Sequence, residues 1–321
     1  MNVSDFGAAL SNSLSLGSIL ILAALGLAIT FGVMRVINMA HGDLMMLGAY
    51  TALVVTDARY LGLNLFVAIP ASFIVVGFVG YLLEVCLIRF LYGRPLDTLL
   101  ATWGVGLILQ QTVNLIFGAN LQPMHVPGIL EGHWTVGGLA IPIFRVFILG
   151  VTIICLIGVY IWFYRTAFGL KCRAVVQNRP MAAATGISTR RVDSLTFAFA
   201  SGLAGIAGCI LAHLYNANYQ MGNQYIVEAF MTVILGGMGN LSGSVASGAI
   251  IGTGDSFMAK ILGAKWLEEL VSHVGIQPRD WEQIVGRNSE AMSSVLVLVV
   301  VIVIIWFRPQ GLFAAKERSY E

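Results

Sequence analysis

The sequence FGVMRVINMAHGDLMMLGAY, residues 31–50, places polar side chains between two strongly apolar arms. Its polar residues are Arg35, Asn38, His41 and Asp43, and Gly42 separates the last two. A helix interrupted here would direct polar side chains and free backbone amides into the protein interior, which membrane proteins tolerate only where the break lines water or other protein groups. In a chain this apolar, the pattern needs an explanation.

Two arrangements fit this stretch. In the first, a discontinuous membrane helix places Asn38, His41 and Asp43 along a solute path. In the second, the stretch is a cytoplasmic turn between two membrane helices, and Arg35 marks the cytoplasmic side. Asn38 is the stronger candidate for the path and Arg35 for the surface, and both arrangements stay open at this point.

The composition places the whole chain in a membrane. Hydrophobic residues make up 58% of it and charged residues only 11%, and the mean hydropathy is +0.84, whereas soluble domains have about 25% charged residues. The 321 residues allow about eight or nine crossings of ~20 residues. We therefore expect an all-α, polytopic membrane protein with broken or re-entrant segments, in which residues 1–321 form one transmembrane domain.

Apolar segments predict the individual membrane helices. They cover residues 14–33, 42–55, 65–88, 96–117, 143–163, 195–214, 226–239, 245–262 and 294–307. The second and seventh are short and adjoin glycines, a pattern typical of discontinuous helices along a translocation path. The glycine-rich run after the seventh, LGGMGNLSGS at residues 235–244, contains Asn240. It lacks the lysine of a phosphate-binding loop.

Basic residues indicate the orientation, because cytoplasmic loops carry an excess of Lys and Arg. Residues 165–192 carry six basic side chains and no acid, and residues 118–142 carry neither Lys nor Arg. The first is therefore predicted to be cytoplasmic and the second external. The mixed charges of residues 263–293 fit an extracytoplasmic loop. The N-terminus is then external, and the first apolar segment is predicted to be a retained helix rather than a cleaved signal.

The basic segment is predicted to form a short amphipathic helix, a break at Pro180 and a second helical turn. Small apolar residues exposed on such a segment favour a docking site for another protein. The alternative is a helix held on anionic lipid by its Lys and Arg side chains.

The sequence contains no motif of a disulfide framework, a zinc site or a serine hydrolase. The four cysteines show no disulfide or zinc pattern, and neither HExxH nor GxSxG occurs,. The pI near 8.4 reflects the cytoplasmic loops rather than nucleic-acid binding.

Polar residues inside apolar segments are predicted to hydrogen-bond between helices: Glu84, Gln110, Gln111, Asn114, Glu228 and Asp255. Small residues four apart predict close packing, within the chain or against a second subunit: Ser201/Gly205, Ala204/Gly208, Gly239/Gly243 and Gly248/Gly252.

Five ordered motifs carry a family resemblance: INMAHGDLMMLGAY, RPLDTLLATWGVGLILQQ, LKCRAVVQNRPMAAATGI, LGGMGNLSG and WFRPQGLF. Together they resemble the permease subunits of the branched-chain amino acid class of ABC importers over residues 14–313. Met39 and the LLATWG run are most similar to the urea-transporting permeases of that class.

The resemblance implies a bacterial inner-membrane complex of this permease, a second related permease, two cytoplasmic ATP-binding subunits and an extracytoplasmic solute-binding protein. ATP and magnesium would be bound by the partners, so no cofactor is expected in this chain. The loop at residues 177–187 would dock the ATPases. The candidate coupling residues are Arg173, Gln177, Asn178, Arg179, Ala182, Ala183 and Gly186.

The candidate pathway residues can hydrogen-bond urea, a small neutral solute: Asn38, His41, Asp43, Gln110, Gln111, Asn114 and Asn240. A branched-chain amino acid or a short amide is the alternative solute. An amino acid would need partners for its ammonium and carboxylate, and a helix N-terminus can serve the carboxylate. A passive amide channel and an intramembrane hydrolase are two further hypotheses, the latter without a recognisable nucleophile motif.

Overall fold

The computed structural model describes residues 3–136, 139–262, 278–308 and 310–313. Within these ranges the chain is almost entirely helical, which confirms the predicted all-α fold. The helices are α1 (Val3–Met34), α2 (His41–Thr56), α3 (Leu65–Cys86), α4 (Pro95–Phe117), α5 (Ile143–Arg165), α6 (Ala167–Gln177), α7 (Arg179–Ala184), α8 (Thr189–Tyr215), α9 (Met221–Gly236), α10 (Leu241–Leu262) and α11 (Pro278–Phe307). A 3₁₀ turn, Ile88–Leu91, follows α3.

Every apolar segment predicted to span the membrane corresponds to one of these helices, although the segments 65–88 and 226–239 were predicted to run two and three residues beyond the ends of α3 and α9. In the described part of the chain, five segments are long and apolar enough to cross a bilayer: Ser11–Met34, Leu65–Cys86, Pro95–Phe117, Ile143–Arg165 and Thr189–Tyr215. The two segments predicted to be short correspond to α2 and α9, each of 16 residues. This is less than the ~20 residues of a full crossing. The fold is therefore a polytopic bundle that includes short helices.

The centre of the bundle is formed by α1 and α8, whose spans are largely buried. Around them, α2 and α3 pack against α8, and α10 packs against α1. By contrast, α3, α4 and α5 expose most of their spans, which are apolar. The outer faces of these three helices are available to lipid or to another subunit.

Glycines bring the central helices into close contact. A Cβ atom added to Gly208 would lie 1.8 Å from the carbonyl oxygen of Met45, and one added to Gly48 would lie 2.2 Å from that of Gly205. Of the small residues predicted from their four-residue spacing, all but Gly239 are buried, and Gly239 is exposed beside Gly32. This supports internal packing as their role.

Two predicted loops contain regular structure. The external segment holds an antiparallel hairpin of β1 (His133–Val136) and β2 (Leu139–Pro142), with Trp134 opposite Ile141. No strand was predicted there, although β-branched and aromatic residues flanking a Gly-Gly pair are typical of hairpins.

In the predicted loop 263–293, residues from 278 onward belong to α11. The rest of that loop lies outside the described residues.

Candidate functional site

The chain reverses direction sharply between α1 and α2. At the end of α1, Arg35 has a φ of 52°, a left-handed conformation uncommon for a residue other than glycine. The Arg35 side chain is exposed, whereas Val36 is buried. Residues 36–40 then form a non-helical segment that leads back into the bundle, and α2 begins at His41.

His41 shows how deep α2 begins. Its Nε2 lies 3.0 Å from the carbonyl oxygen of Ala23, and Ala23 is near the middle of the candidate span Ser11–Met34. At 1.5 Å per residue, that carbonyl is about 16 Å along α1 from Met34. Six residues in extended conformation can reach ~20 Å. The start of α2 therefore lies at mid-span, which favours the discontinuous helix over the surface turn.

Four residues form what we call the buried polar cluster: Asn38, His41, Asp43 and Gln110. Asp43 accepts a hydrogen bond from Gln110 Nε2 at 2.7 Å, and Asn38 Oδ1 accepts one from the amide of Ala40 at 3.1 Å. All four side chains are 5% exposed or less. These contacts join the start of α2 to α1 and α4.

The buried face of α4 is shaped to receive this cluster. It consists of Thr98, Thr102, Gly106, Gln110 and Val113, mostly at four-residue spacing. Thr102 Oγ1 accepts a hydrogen bond from the amide of Met39 at 3.1 Å. A Cβ atom on Gly106 would lie 2.1 Å from Asp43 Oδ2. Position 106 therefore needs glycine to accommodate the Asp43 carboxylate.

Two buried polar atoms near the start of α2, Asn38 Nδ2 and His41 Nδ1, have no hydrogen-bond partner among the described residues. Tyr50 Oη, nine residues beyond His41 in the same helix, has none there either. An unsatisfied buried polar group costs about 1–3 kcal/mol. No side chain caps the N-terminus of α2, so its positive dipole end also lies inside the bundle. Hydrogen-bonding groups at the start of α2, near the middle of the α1 span, are therefore left without partners among the described residues.

The other predicted pathway residues lie in different environments. Gln111 is exposed on the outer face of α4 and Asn114 is half-buried. Asn240 accepts a hydrogen bond from the amide of Gly243 at 3.2 Å and donates one to the carbonyl oxygen of Phe313 at 2.6 Å. These bonds give Asn240 a role in starting α10 and in holding the segment after α11. The structure does not bring Gln111 or Asn240 to the buried polar cluster.

The basic segment forms two short helices, as predicted, but the break between them lies at Asn178 rather than at Pro180, which belongs to the first turn of α7. We call α6 and α7 the docking segment, after the role predicted for them. Thr166 caps α6 by accepting from the amide of Gly169 at 3.0 Å. Asn178 caps α7 by accepting from the amide of Met181 at 3.0 Å. Each cap satisfies a backbone donor that a helix start leaves free. The two helices are therefore defined locally by their sequence.

The predicted coupling residues divide between an outer and an inner side. On the outer side are Gln177, Asn178, Ala183 and Gly186, all exposed. Ala182 is buried, Arg173 lies over the ring of Tyr164, and Arg179 forms an ion pair with Asp193. Met181 lies in the predicted docking loop but was not among the candidate coupling residues, and its side chain is 62% exposed. Its place between Pro180 and the alanines is the signal that favours it as a further coupling residue.

A polar cavity of about 560 Å³ opens between the end of α1 and the docking segment. Its lining includes Arg35, Val36, Arg94 and residues 175–180. Because residues 35 and 36 also begin the segment that leads to His41, this cavity and the buried polar cluster are linked by one short stretch of chain.

Several polar residues of the apolar segments do bond between elements, as predicted. Glu84 Oε1 accepts from Tyr92 Oη at 2.9 Å. Ser294 Oγ lies 3.4 Å from Glu228 Oε1 and from Asp255 Oδ1. The described residues contain no group of His, Cys, Asp and Glu that could hold a metal ion, and the cysteines found there are free thiols. The arrangement is that of a polytopic membrane protein whose helices are joined by polar contacts.

Comparison with known proteins identifies the family. The family model described as "Branched-chain amino acid transport system / permease component" matches residues 9–305. The chain belongs to this family. No solved structure is significantly similar to it.

Named relatives support the same assignment. The chain is 27% identical to the high-affinity branched-chain amino acid transport system permease protein BraD of Pseudomonas aeruginosa, over 96% of the chain and 95% of that protein. It is 28% identical to the LivH permease protein of Escherichia coli K12, over 79% of the chain and 86% of LivH. The probable LivH of Methanocaldococcus jannaschii is 28% identical over 79% of the chain and 81% of its own length. These relatives are named as transport permease proteins, and the chain is a permease component rather than an enzyme.

Proposed function

We propose that this chain is the translocating subunit of an ATP-driven importer and that a small polar solute passes the buried polar cluster at the start of α2. The observation that carries this proposal is the pair of unpartnered atoms, Asn38 Nδ2 and His41 Nδ1, buried at mid-span. Intramembrane polar groups of this kind are costly and mark solute pathways. Residues 35–40 connect them to the polar cavity beside the docking segment.

The energy source in this proposal is a pair of ATP-binding subunits that dock on α6 and α7. The exposed Met181 side chain and the neighbouring Ala183 form an apolar surface outside the bundle. Such a surface suits a protein partner better than a purely electrostatic contact with lipid. A second permease and an extracytoplasmic solute-binding protein complete the proposed complex in the plasma membrane, which is the inner membrane in a bacterium.

The outer face of α4 is where we place the second permease. Gln111 is exposed on this face of an apolar span, and an amide facing hydrocarbon would lack hydrogen-bond partners. A neighbouring permease would cover it. Gln111 and Asn114 would then lie at the boundary of the two subunits, where they remain candidate pathway residues.

The solute that the chain's own residues favour is urea. Urea is neutral and both donates and accepts hydrogen bonds, which suits the unused groups of Asn38 and His41. The one acid of the cluster, Asp43, accepts a hydrogen bond from Gln110 through Oδ1. The exposed Arg35 lies at the end of α1, about 16 Å along α1 from the level of His41. No fixed countercharge is needed for such a solute.

A branched-chain amino acid is the second candidate, and the names of the relatives favour it. Its ammonium group could pair with Asp43, and its carboxylate could bind at the uncapped N-terminus of α2. Asp43 could pair with the ammonium group through Oδ2 while Oδ1 still accepts from Gln110,.

The deciding experiment isolates the complex through a tag on this chain and reconstitutes it in liposomes with its binding protein. Uptake of radiolabelled urea and of leucine is then compared with and without internal ATP. ATP-dependent urea uptake that excess leucine does not inhibit supports urea. Leucine uptake insensitive to urea supports the second candidate, and ATP-dependent uptake of neither solute contradicts both.

A further inference from the structure

A network of charged and polar side chains connects the docking segment to the ends of α3 and α8. Arg179 of α7 forms an ion pair with Asp193 of α8. The next residue of α8, Ser194, donates to Glu84 of α3. Arg89, in the 3₁₀ turn after α3, lies 3.4 Å from Glu84 Oε2 and donates to Ser194 Oγ at 3.2 Å.

Tyr92 joins the two halves of this network. Its hydroxyl donates to Glu84 Oε1 at 2.9 Å, and its ring lies 5.2 Å from the guanidinium carbon of Arg179. Burial, together with the nearby carboxylates of Asp193 and Glu84, raises the pKa of Tyr92. The phenol therefore keeps its proton and remains a donor to Glu84.

The two acids are the buried members of the network. The side chains of Glu84 and Asp193 are fully buried, whereas those of Arg89 and Arg179 are 29% and 40% exposed. A buried carboxylate that loses its cation is strongly destabilised, so each acid holds its partner in one position. Arg179 is thereby fixed to α8 although it belongs to a surface helix.

The neighbouring helices extend this connection to the buried polar cluster. Ser72 of α3 donates to the carbonyl oxygen of Gly48 in α2 at 3.0 Å. Gly205 of α8 packs against the same residue. Movement of α3 and α8 would therefore displace α2, the helix whose first turn carries His41 and Asp43.

We propose that the pair Arg179–Asp193, held by Tyr92, Glu84, Arg89 and Ser194, is the mechanical link through which movement of the docking segment reaches α3, α8 and the start of α2. This inference rests on the proposed docking of ATPases at α6 and α7. Arg179 and Asp193 are then positioning residues: they touch neither the solute nor ATP, and their effect passes through the helices that they hold together.

The test measures solute uptake per ATP hydrolysed by the reconstituted complex. Arg179→Gln, Asp193→Asn and the double variant are compared with wild type, and Arg59→Gln is the control. Arg59 also forms an ion pair, with Asp57, but its side chain is 66% exposed and lies in the loop between α2 and α3, away from the network and the polar cavity. We expect each single variant to retain its ATPase subunits but to lose about fivefold or more of its uptake per ATP, the lower end of typical coupling between sites.

Comparison of the double variant with the two single variants shows whether Arg179 and Asp193 act as a pair or independently. If the ion pair is the link, removing both partners should be no worse than removing one. A Tyr92→Phe variant, which removes one hydroxyl and keeps the ring near Arg179, provides a milder perturbation in a complex that folds. It should lower uptake per ATP without releasing the ATPase subunits.

Two results would overturn the link. One is an unchanged ratio of uptake to hydrolysis in Asp193→Asn and Tyr92→Phe. The other is a loss of uptake and of ATP hydrolysis in equal proportion, together with lower thermal stability. That result would show that the ion pair only stabilises the fold. A wild-type complex that shows no ATP-dependent uptake would instead refute the proposed function itself.

Discussion

His41, the first residue of α2, contacts the middle of α1: its Nε2 lies 3.0 Å from the carbonyl oxygen of Ala23. A helix of 16 residues that starts at this depth does not cross the bilayer from one surface to the other. It begins inside the protein and places an uncapped helix N-terminus beside buried polar side chains. This contact distinguishes the discontinuous helix from a cytoplasmic turn.

Replacement of Asn38 should reduce transport more than it reduces the amount of protein. Asn38→Leu removes the unpartnered Nδ2, and we expect uptake per complex to fall about tenfold or more, equivalent to ~1.4 kcal/mol. Asn64→Leu is the matched control, because Asn64 is exposed at the start of α3. Uptake is measured in proteoliposomes and normalised to the incorporated protein. Equal losses of uptake and protein would assign Asn38 a structural role only.

Two glycines of α4 should respond differently to the same substitution. A Cβ atom at position 106 would lie 2.1 Å from Asp43 Oδ2, whereas one at position 104 would meet nothing within 4 Å. Gly106→Ala should therefore displace Asp43 and lower the thermal stability of the purified protein, typically by 1–3 kcal/mol for overpacking. Gly104→Ala should not. Equal stability of the two variants would contradict the described contact between α2 and α4.

The adjacent glutamines of α4 provide a second pair of variants. Gln110→Leu removes the partner of the buried Asp43, and we expect a loss of about 1–3 kcal/mol, measured as a lower unfolding temperature in detergent. Gln111→Leu changes an exposed side chain and should leave that temperature nearly unchanged. The opposite order would show that α4 presents its other face to α2.

The docking segment should lose its partners when a charge replaces an exposed apolar group. We expect Met181→Asp and Ala183→Asp to release the ATPase subunits while the permease remains folded, because a carboxylate is costly to bury at an interface. Ile129→Asp is the control, since Ile129 is 81% exposed and lies in the segment predicted to be external. Co-purification through a tag on this chain measures the result. Retention of the ATPases in both variants would exclude this surface.

Much of the fold follows from the sequence because apolar length and helix-breaking residues are local properties. Each apolar segment is helical, and the break at residues 35–40 coincides with the polar stretch that suggested it. The hairpin at 133–142 was missed because a hairpin of 4-residue strands gives a weak signal beside long helices.

The candidate site was only partly predictable, because adjacent residues on a helix face different directions. Gln110 and Gln111 are equivalent in the sequence, yet one bonds to Asp43 and the other is exposed. Similarly, the sequence predicts Arg179 to be a surface cation, but its partner Asp193 is 14 residues away and fully buried. Such pairings depend on how the helices pack, which the pattern of residue types does not specify.

If the proposed function is right, this chain moves its solute only as part of an ATP-driven complex. Uptake is measured in proteoliposomes that contain either the purified chain alone or the complete complex with its binding protein. We expect no flux through the chain alone, and uptake by the complex only when ATP is present on the side of the membrane where the ATPases lie. Downhill flux through the chain alone would instead identify a passive channel.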